Sequence, residues 1–138
     1  MKQIFVDTSA FAALADKNYD NHIKAVEFNR QVKGISLVTS NYILDELYTL
    51  LLMNVGYEPT VKFKAKLDVL IENNFLQIIW IYPEIAQRTW QIFEQFNKDK
   101  QWSFTDCTSY VVMKQSGITE AFTFDRHFSQ MGLIRRPD

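Results

Sequence analysis

The 138 residues hold fifteen lysines and arginines against sixteen aspartates and glutamates, a formal charge of -1, so no global positive field steers a polyanion and any nucleic acid must be gripped locally. An apolar share of 47% and an aromatic share of 14% describe one globular domain over residues 1–138 without a linker, charge run or low-complexity tract. The single cysteine, Cys107, excludes an internal disulfide and a cysteine metal cluster and reads as a small core residue in a reducing, cytoplasmic protein; no window is long enough to span a membrane.

Gln3 to Val6 is a short apolar run with β-branched and aromatic character, a buried strand that ends on Asp7-Thr8-Ser9. Ala10 to Leu14 follows as a short helix, and Asp7 interrupts any signal-peptide core, so the chain reads as soluble and untargeted. A second helix is expected over residues 20–33, with Ile23, Ala25 and Val26 inward and Gly34 stopping it. Ile35 to Thr39 is the second strand. Ser40 or Asn41 caps a long helix to Val55; Gly56 ends it, and Pro59 stands at the start of a fourth helix to about Asn74.

Phe75 to Ile81 is the third strand. Pro83 opens a fifth helix, with Ile85, Ala86, Trp90, Phe93 and Phe96 at helical spacing, and the polar residues 97–101 close it. A sixth helix is expected over residues 105–116, then strand four from Ala121 to Phe124, one helical turn after Asp125, and a last extended piece from Leu133 to Arg135. Alternating strands and helices predict an α/β fold, a parallel sheet covered on both faces and joined by right-handed crossovers. The four glycines are stop signals, and no phosphate loop or dinucleotide fingerprint is present.

Four acids stand out. Asp7 ends a strand, where an open parallel sheet forms its ligand crevice, yet Asp is also a good helix N-cap. Glu46 lies at the margin of the apolar face of the third helix, half turned inward, whereas its neighbour Asp45 points to solvent. Asp106 stands three residues after Ser103, the spacing of a capping box, at a helix N-terminus that the topology can bring to the edge holding Asp7. Asp125 repeats the opening pattern, an acid ending an apolar strand. Each acid has a structural reading as a cap or an ion pair.

Converging on one edge, four carboxylates would repel one another, and such a group normally holds a divalent cation. All-oxygen ligands suit Mg2+ or Mn2+ rather than zinc. His22 and His127 are too few and too separated for a zinc site, and His127 reads as a surface or packing residue. An adhesion-type Asp-x-Ser-x-Ser metal site would need a serine where Phe11 stands, and a phosphoaspartyl phosphatase would need an aspartate where Ser9 stands. A non-catalytic metal-binding or interaction domain on a similar sheet is the alternative from another class.

Taken together, Ile4-Phe5-Val6-Asp7-Thr8-Ser9, Thr39-Ser40 with Glu46, Ser103-Phe104-Thr105-Asp106-Cys107 and Thr123-Phe124-Asp125-Arg126-His127-Phe128 resemble, over essentially the whole chain, the PIN-domain endoribonucleases, and within them the VapC-type toxins of toxin-antitoxin pairs. The resemblance implies a single PIN-like domain with strand order 3-2-1-4-5 and metal-assisted cleavage of single-stranded RNA with Mg2+ or Mn2+. It also implies a homodimer and a small antitoxin partner. Asp7, Glu46, Asp106 and Asp125 carry over as the acidic site, with Asp7 and Asp106 as principal metal ligands and Thr123 as the accompanying hydroxyl. Thr8 or Ser9 could orient a carboxylate.

For phosphate contact and base stacking the chain offers Lys98 and Lys100 ahead of Trp102, Arg126 beside Asp125, and Arg135-Arg136, whose other reading is ordinary solvated surface with Trp102 packed inside. The run Tyr48 to Met53 is apolar nearly all round its helix, which asks for burial on two sides, either against a dimer or antitoxin partner or by passage of the helix through the core.

Overall fold

The computed structural model describes residues 2–138. In chain order the elements are β1 (Gln3–Val6), α1 (Thr8–Ala15), α2 (His22–Gln31), β2 (Ser36–Ser40), α3 (Asn41–Val55) and α4 (Tyr57–Glu72). They continue as β3 (Leu76–Ile79), α5 (Pro83–Phe96), α6 (Phe104–Ser116), β4 (Glu120–Phe122), α7 (His127–Gln130) and β5 (Ile134–Arg136). The five strands form one sheet in the order β3-β2-β1-β4-β5, and every pairing is parallel, as the alternation of strands and helices requires.

This order has a functional consequence. From β1 the chain builds outward through β2 to β3, then returns to the other side of β1 and builds through β4 to β5. Right-handed crossovers therefore put α1 to α4 on one face and α5 to α7 on the other. The reversal falls between β1 and β4, whose Val6 and Phe122 are register partners. At such a switch point the flanking loops part and leave a crevice beyond the strand ends.

The core is centred on the middle of the sheet, where Ile4, Phe5, Val6, Val38, Ala121 and Phe122 are at most 1% exposed. Strands covered on both faces read as continuous apolar runs, which is why β1 was legible as a strand. Cys107 is buried as a core residue, and burial raises its thiol pKa to about 11.

Several expected features fall elsewhere. Ile23 is 72% exposed. The inward face of α2 consists of Ala25 and Phe28, followed by Val32 beyond its end, and Ile23 lies about 200° round the helix from Ala25. The helix also begins at His22, because the preceding residues form a turn closed by the His22 N–H on the Tyr19 carbonyl at 2.9 Å. On α5 the buried positions are Thr89 and Ile92, and Trp90 is 52% exposed.

Strand ends are trimmed where side chains take over backbone donors. β3 stops at Ile79, and the Ile81 N–H goes to Asn41 Oδ1 at 2.8 Å. β4 stops at Phe122, because the Phe124 and Asp125 N–H groups are held by Ser9 Oγ and Thr123 Oγ1. The last strand is shifted by one residue to Ile134–Arg136.

Candidate active site

Asp7 lies where β1 ends, at the switch point. Its N–H donates to the Phe122 carbonyl at 3.0 Å, and its own carbonyl accepts the N–H groups of Ala10 and Phe11. Its main chain is thus tied both to β4 and to the first turn of α1, which it caps. Oδ2 accepts the hydroxyls of Ser9 and Thr123, each at 2.8 Å. Each hydroxyl has one proton to give, and each then accepts a backbone N–H, Ser9 from Phe124 and Thr123 from Asp125.

Asp106 stands in the first turn of α6, within a complete capping box. The Ser103 side chain accepts the Asp106 N–H at 2.9 Å, and Asp106 Oδ2 accepts the Ser103 N–H at 3.2 Å. Capping and site membership are therefore compatible: the box fixes the rotamer that aims the carboxylate. Gly117, at φ +69°, closes the other end of α6, where the Ile118 N–H reaches the Met113 carbonyl at 2.9 Å.

Asp125 and His127 flank the start of α7, which is pinned by the fully buried Phe128. Asp125 Oδ1 accepts the His127 N–H at 2.9 Å. The His127 ring reaches back, with Nδ1 at 3.0 Å from Asp106 Oδ2 and 3.4 Å from Asp125 Oδ1. Asp106, Asp125 and His127 each bring one ligand atom within 4.8 Å of the others.

In all three aspartates one oxygen takes the positioning hydrogen bonds, Oδ2 in Asp7 and Asp106 and Oδ1 in Asp125. The other accepts none from the described residues. This donor set, held by its surroundings and still holding free carboxylate oxygens, fits a hard divalent cation.

Electrostatics agree. Asp7 is 4% exposed, and burial raises its carboxyl from 3.8 to about 6 against the lowering hydrogen bonds of Thr123 and Ser9; the charges of Asp106 and Asp125 push it further up. Asp106 is also raised, first by burial and then by Asp125, with His127 and the Ser103 N–H opposing.

The structure thus brings together Asp7, Asp106, Asp125 and Thr123. Glu46 differs from expectation: it is exposed rather than half turned inward, and makes no ion pair among the described residues. It lies one turn after Tyr42 on the same side of α3, and the Tyr42 ring approaches that of Phe104 at 6.4 Å, two residues before Asp106. Ser9 orients Asp7, but the buried Thr8 hydroxyl has no described partner.

His127, read from sequence as surface or packing, is in the middle of the acids; its position two residues after Asp125, on the turn that follows a strand, was the available signal. Trp102 is 4% exposed, so it packs inside and cannot stack on a base. Phe11 is buried against Phe63, which leaves no adhesion-type ligand there.

A model of the PIN domain matches residues 4–133. The chain belongs to the PIN-domain family. The VapC branch is indicated by a relative from Mycobacterium tuberculosis, the 23S rRNA-specific endonuclease VapC20, which is 30% identical over 137 residues, 98% of this chain and 99% of that protein. A VapC ribonuclease of Archaeoglobus fulgidus is 29% identical over 86% of this chain and 72% of its own length. Among solved structures, M. tuberculosis VapC20, described as a sarcin-ricin loop cleaving toxin, superposes with a TM-score of 0.80 at 28% identity, covering 95% of this chain and 96% of that one. FitAcB from Neisseria gonorrhoeae shares the fold, with a TM-score of 0.64 at 13% identity over 96% and 95% of the two chains. Among the described residues no helix of this PIN protein is long and apolar enough to cross a membrane.

Proposed function

We infer that this protein is a VapC-type endoribonuclease toxin that hydrolyses phosphodiester bonds in single-stranded RNA with Mg2+ or Mn2+. The observation that carries the reading is the split use of each aspartate, one oxygen tied to the protein and one left for a ligand. Asp7, Asp106 and Asp125 would hold the cation, and Glu46 would complete the shell through water, in keeping with its exposed position.

When bound, such a cation lowers the pKa of water and neutralises charge on the attacking and leaving oxygens of a phosphodiester. The chain's own contribution is orientation. Ser9 and Thr123 fix the plane of Asp7, the capping box and His127 fix Asp106, and the His127 N–H fixes Asp125. Because these contacts exist before any ligand arrives, little reorganisation is needed when one does.

The relatives' names point to a ribosomal loop as the first RNA to try. A small antitoxin and a second copy of the chain are the proposed partners, in the cytoplasm. Leu52, Met53, Tyr57 and Val61 are about half or more exposed on the consecutive helices α3 and α4, a concentration of apolar surface that suits a partner.

The test is cleavage of a mixed RNA pool, including ribosomal RNA, by purified protein with Mn2+ or Mg2+, against EDTA and against Asp7→Asn. Cleavage confined to the metal-containing wild-type reaction supports the reading. Failure to cut under every metal condition overturns it.

A further inference from the structure

Net charge leaves this chain without a field for RNA, and the structure gathers three cations where together they can supply a local one. Arg136 is paired with Glu120 and Asp138, Lys2 with Glu120, and Lys64 with Asp68. Lys98, Lys100 and Arg126 line one open groove of about 640 Å3 together with His127. The His127 ring also lies against Asp106 and Asp125, so this side chain links the groove to the acidic centre. Lys98 and Arg126 have no acidic partner among the described residues; Asp99 is the one acid on the lining and lies 3.1 Å from Lys100.

The lysines are not carried on a loose loop. Asn97 clamps its base from both sides: Nδ2 donates to the Trp102 carbonyl, and Oδ1 accepts the Trp102 N–H, each at 2.9 Å. The Trp102 ring is seated on Phe96 with centroids 5.5 Å apart, and its Nε1–H donates to Gln130 Oε1 on the opposite wall at 2.9 Å. Lys100 Nζ in turn rests 5.7 Å from the centre of that ring. Trp102 thus acts as the anchor that holds two lysines and α7 at a fixed separation.

We propose that this groove is the seat of the RNA backbone next to the bond that is cut, with Lys98, Lys100 and Arg126 each meeting a phosphate. A polyanion with regularly repeated charge needs cations beside a carboxylate centre, because the phosphates flanking the reacting one would otherwise face Asp106 and Asp125 unscreened. The inference rests on the nuclease reading, which supplies the reacting phosphate. An acidic segment of a protein partner is the rival occupant, and would leave RNA kinetics untouched by changes in the groove.

The experiment measures cleavage of a fluorescent single-stranded RNA with Mn2+ over a range of salt, for wild type, Lys98→Gln/Lys100→Gln/Arg126→Gln, and the equal-charge control Lys24→Gln/Lys33→Gln/Lys62→Gln. The groove variant is expected to raise KM at least tenfold with kcat changed less than threefold. The slope of log(1/KM) against log salt should fall by about 2, as for three lost phosphate contacts to a single strand. Anisotropy binding of the same RNA by Asp7→Asn, with and without the groove changes, separates the two readings. Wild-type cleavage with KM and slope unchanged in the groove variant, or changed equally in the control, overturns the groove alone. Groove-dependent binding without any cleavage overturns the nuclease alone, and absence of binding by every protein overturns both.

Discussion

The Thr123 hydroxyl donates to Asp7 Oδ2 at 2.8 Å and accepts the Asp125 N–H at 3.0 Å. One buried side chain thereby couples the two strand ends that bracket the switch point. Thr123→Val keeps the shape but leaves a carboxylate short of a donor and an N–H short of an acceptor, a loss of about 1–3 kcal/mol. Activity should fall about 10- to 100-fold, mainly in kcat, since the lost contact orients a carboxylate proposed to hold the cation. Thr123→Ser should restore most of both. Denaturant melts beside cleavage kinetics would check this, and full activity in the valine variant would refute the coupling.

A pH dependence follows from Asp7. Burial raises its carboxyl to about 6 from 3.8, so without metal the folded state holds this proton more tightly than the unfolded chain. The corresponding stability is complete below about pH 4 and is lost as pH rises through about 6, a change of order 3 kcal/mol. Asp106 is shifted the same way. In EDTA, wild type should therefore be less stable at pH 7 than at pH 5. Asp7→Asn, whose side-chain carbonyl still accepts from Ser9 and Thr123, should flatten the profile and be the more stable protein at pH 7. Melts across that range decide it.

His127 has a role that its sequence position did not announce. Its Nδ1 lies 3.0 Å from Asp106 Oδ2, and truncation to alanine should free that carboxylate to turn back toward Ser103 alone. We expect His127→Ala to lose about 10- to 100-fold in activity or metal affinity. His127→Asn, which places an N–H near the same point, should recover a large part. Equal losses in both variants would mean that the ring, not its Nδ1 donor, is what matters.

How much of this was legible follows from where the information lay. The strand ending on Asp7, the order of elements and the capping box at Ser103 and Asp106 are local patterns, and local patterns survive in sequence. The parallel sheet followed from the alternation, and its order from the family resemblance. What local reading missed were decisions made by tertiary partners. Trp102 was left open between stacking on a base and packing inside, because nothing in residues 97–101 shows that Asn97 would fold back on it. β4 was drawn too long because its last donors are taken by Ser9, more than a hundred residues away, and by Thr123. His127 sits among the acids through a contact between α7 and α6, beside a Phe128 buried in the core.

Metal binding should appear as stability. Three aspartates crowd one edge, two of them with carboxyls raised by burial and by neighbouring carboxylates, so an ion that binds there removes repulsion as well as adding bonds. By mass action, Mn2+ at 100 times its dissociation constant stabilises the fold by about 2.7 kcal/mol, which for a domain of this size raises Tm by roughly 10 °C. The increment should grow between pH 5 and pH 7, because the ion competes with the Asp7 proton over that interval. Asp7→Asn should reduce it sharply, whereas the exposed Glu46, changed to Gln, should reduce it only slightly. A Tm unmoved by Mn2+ in wild type at pH 7 would mean that the aspartates serve only as caps.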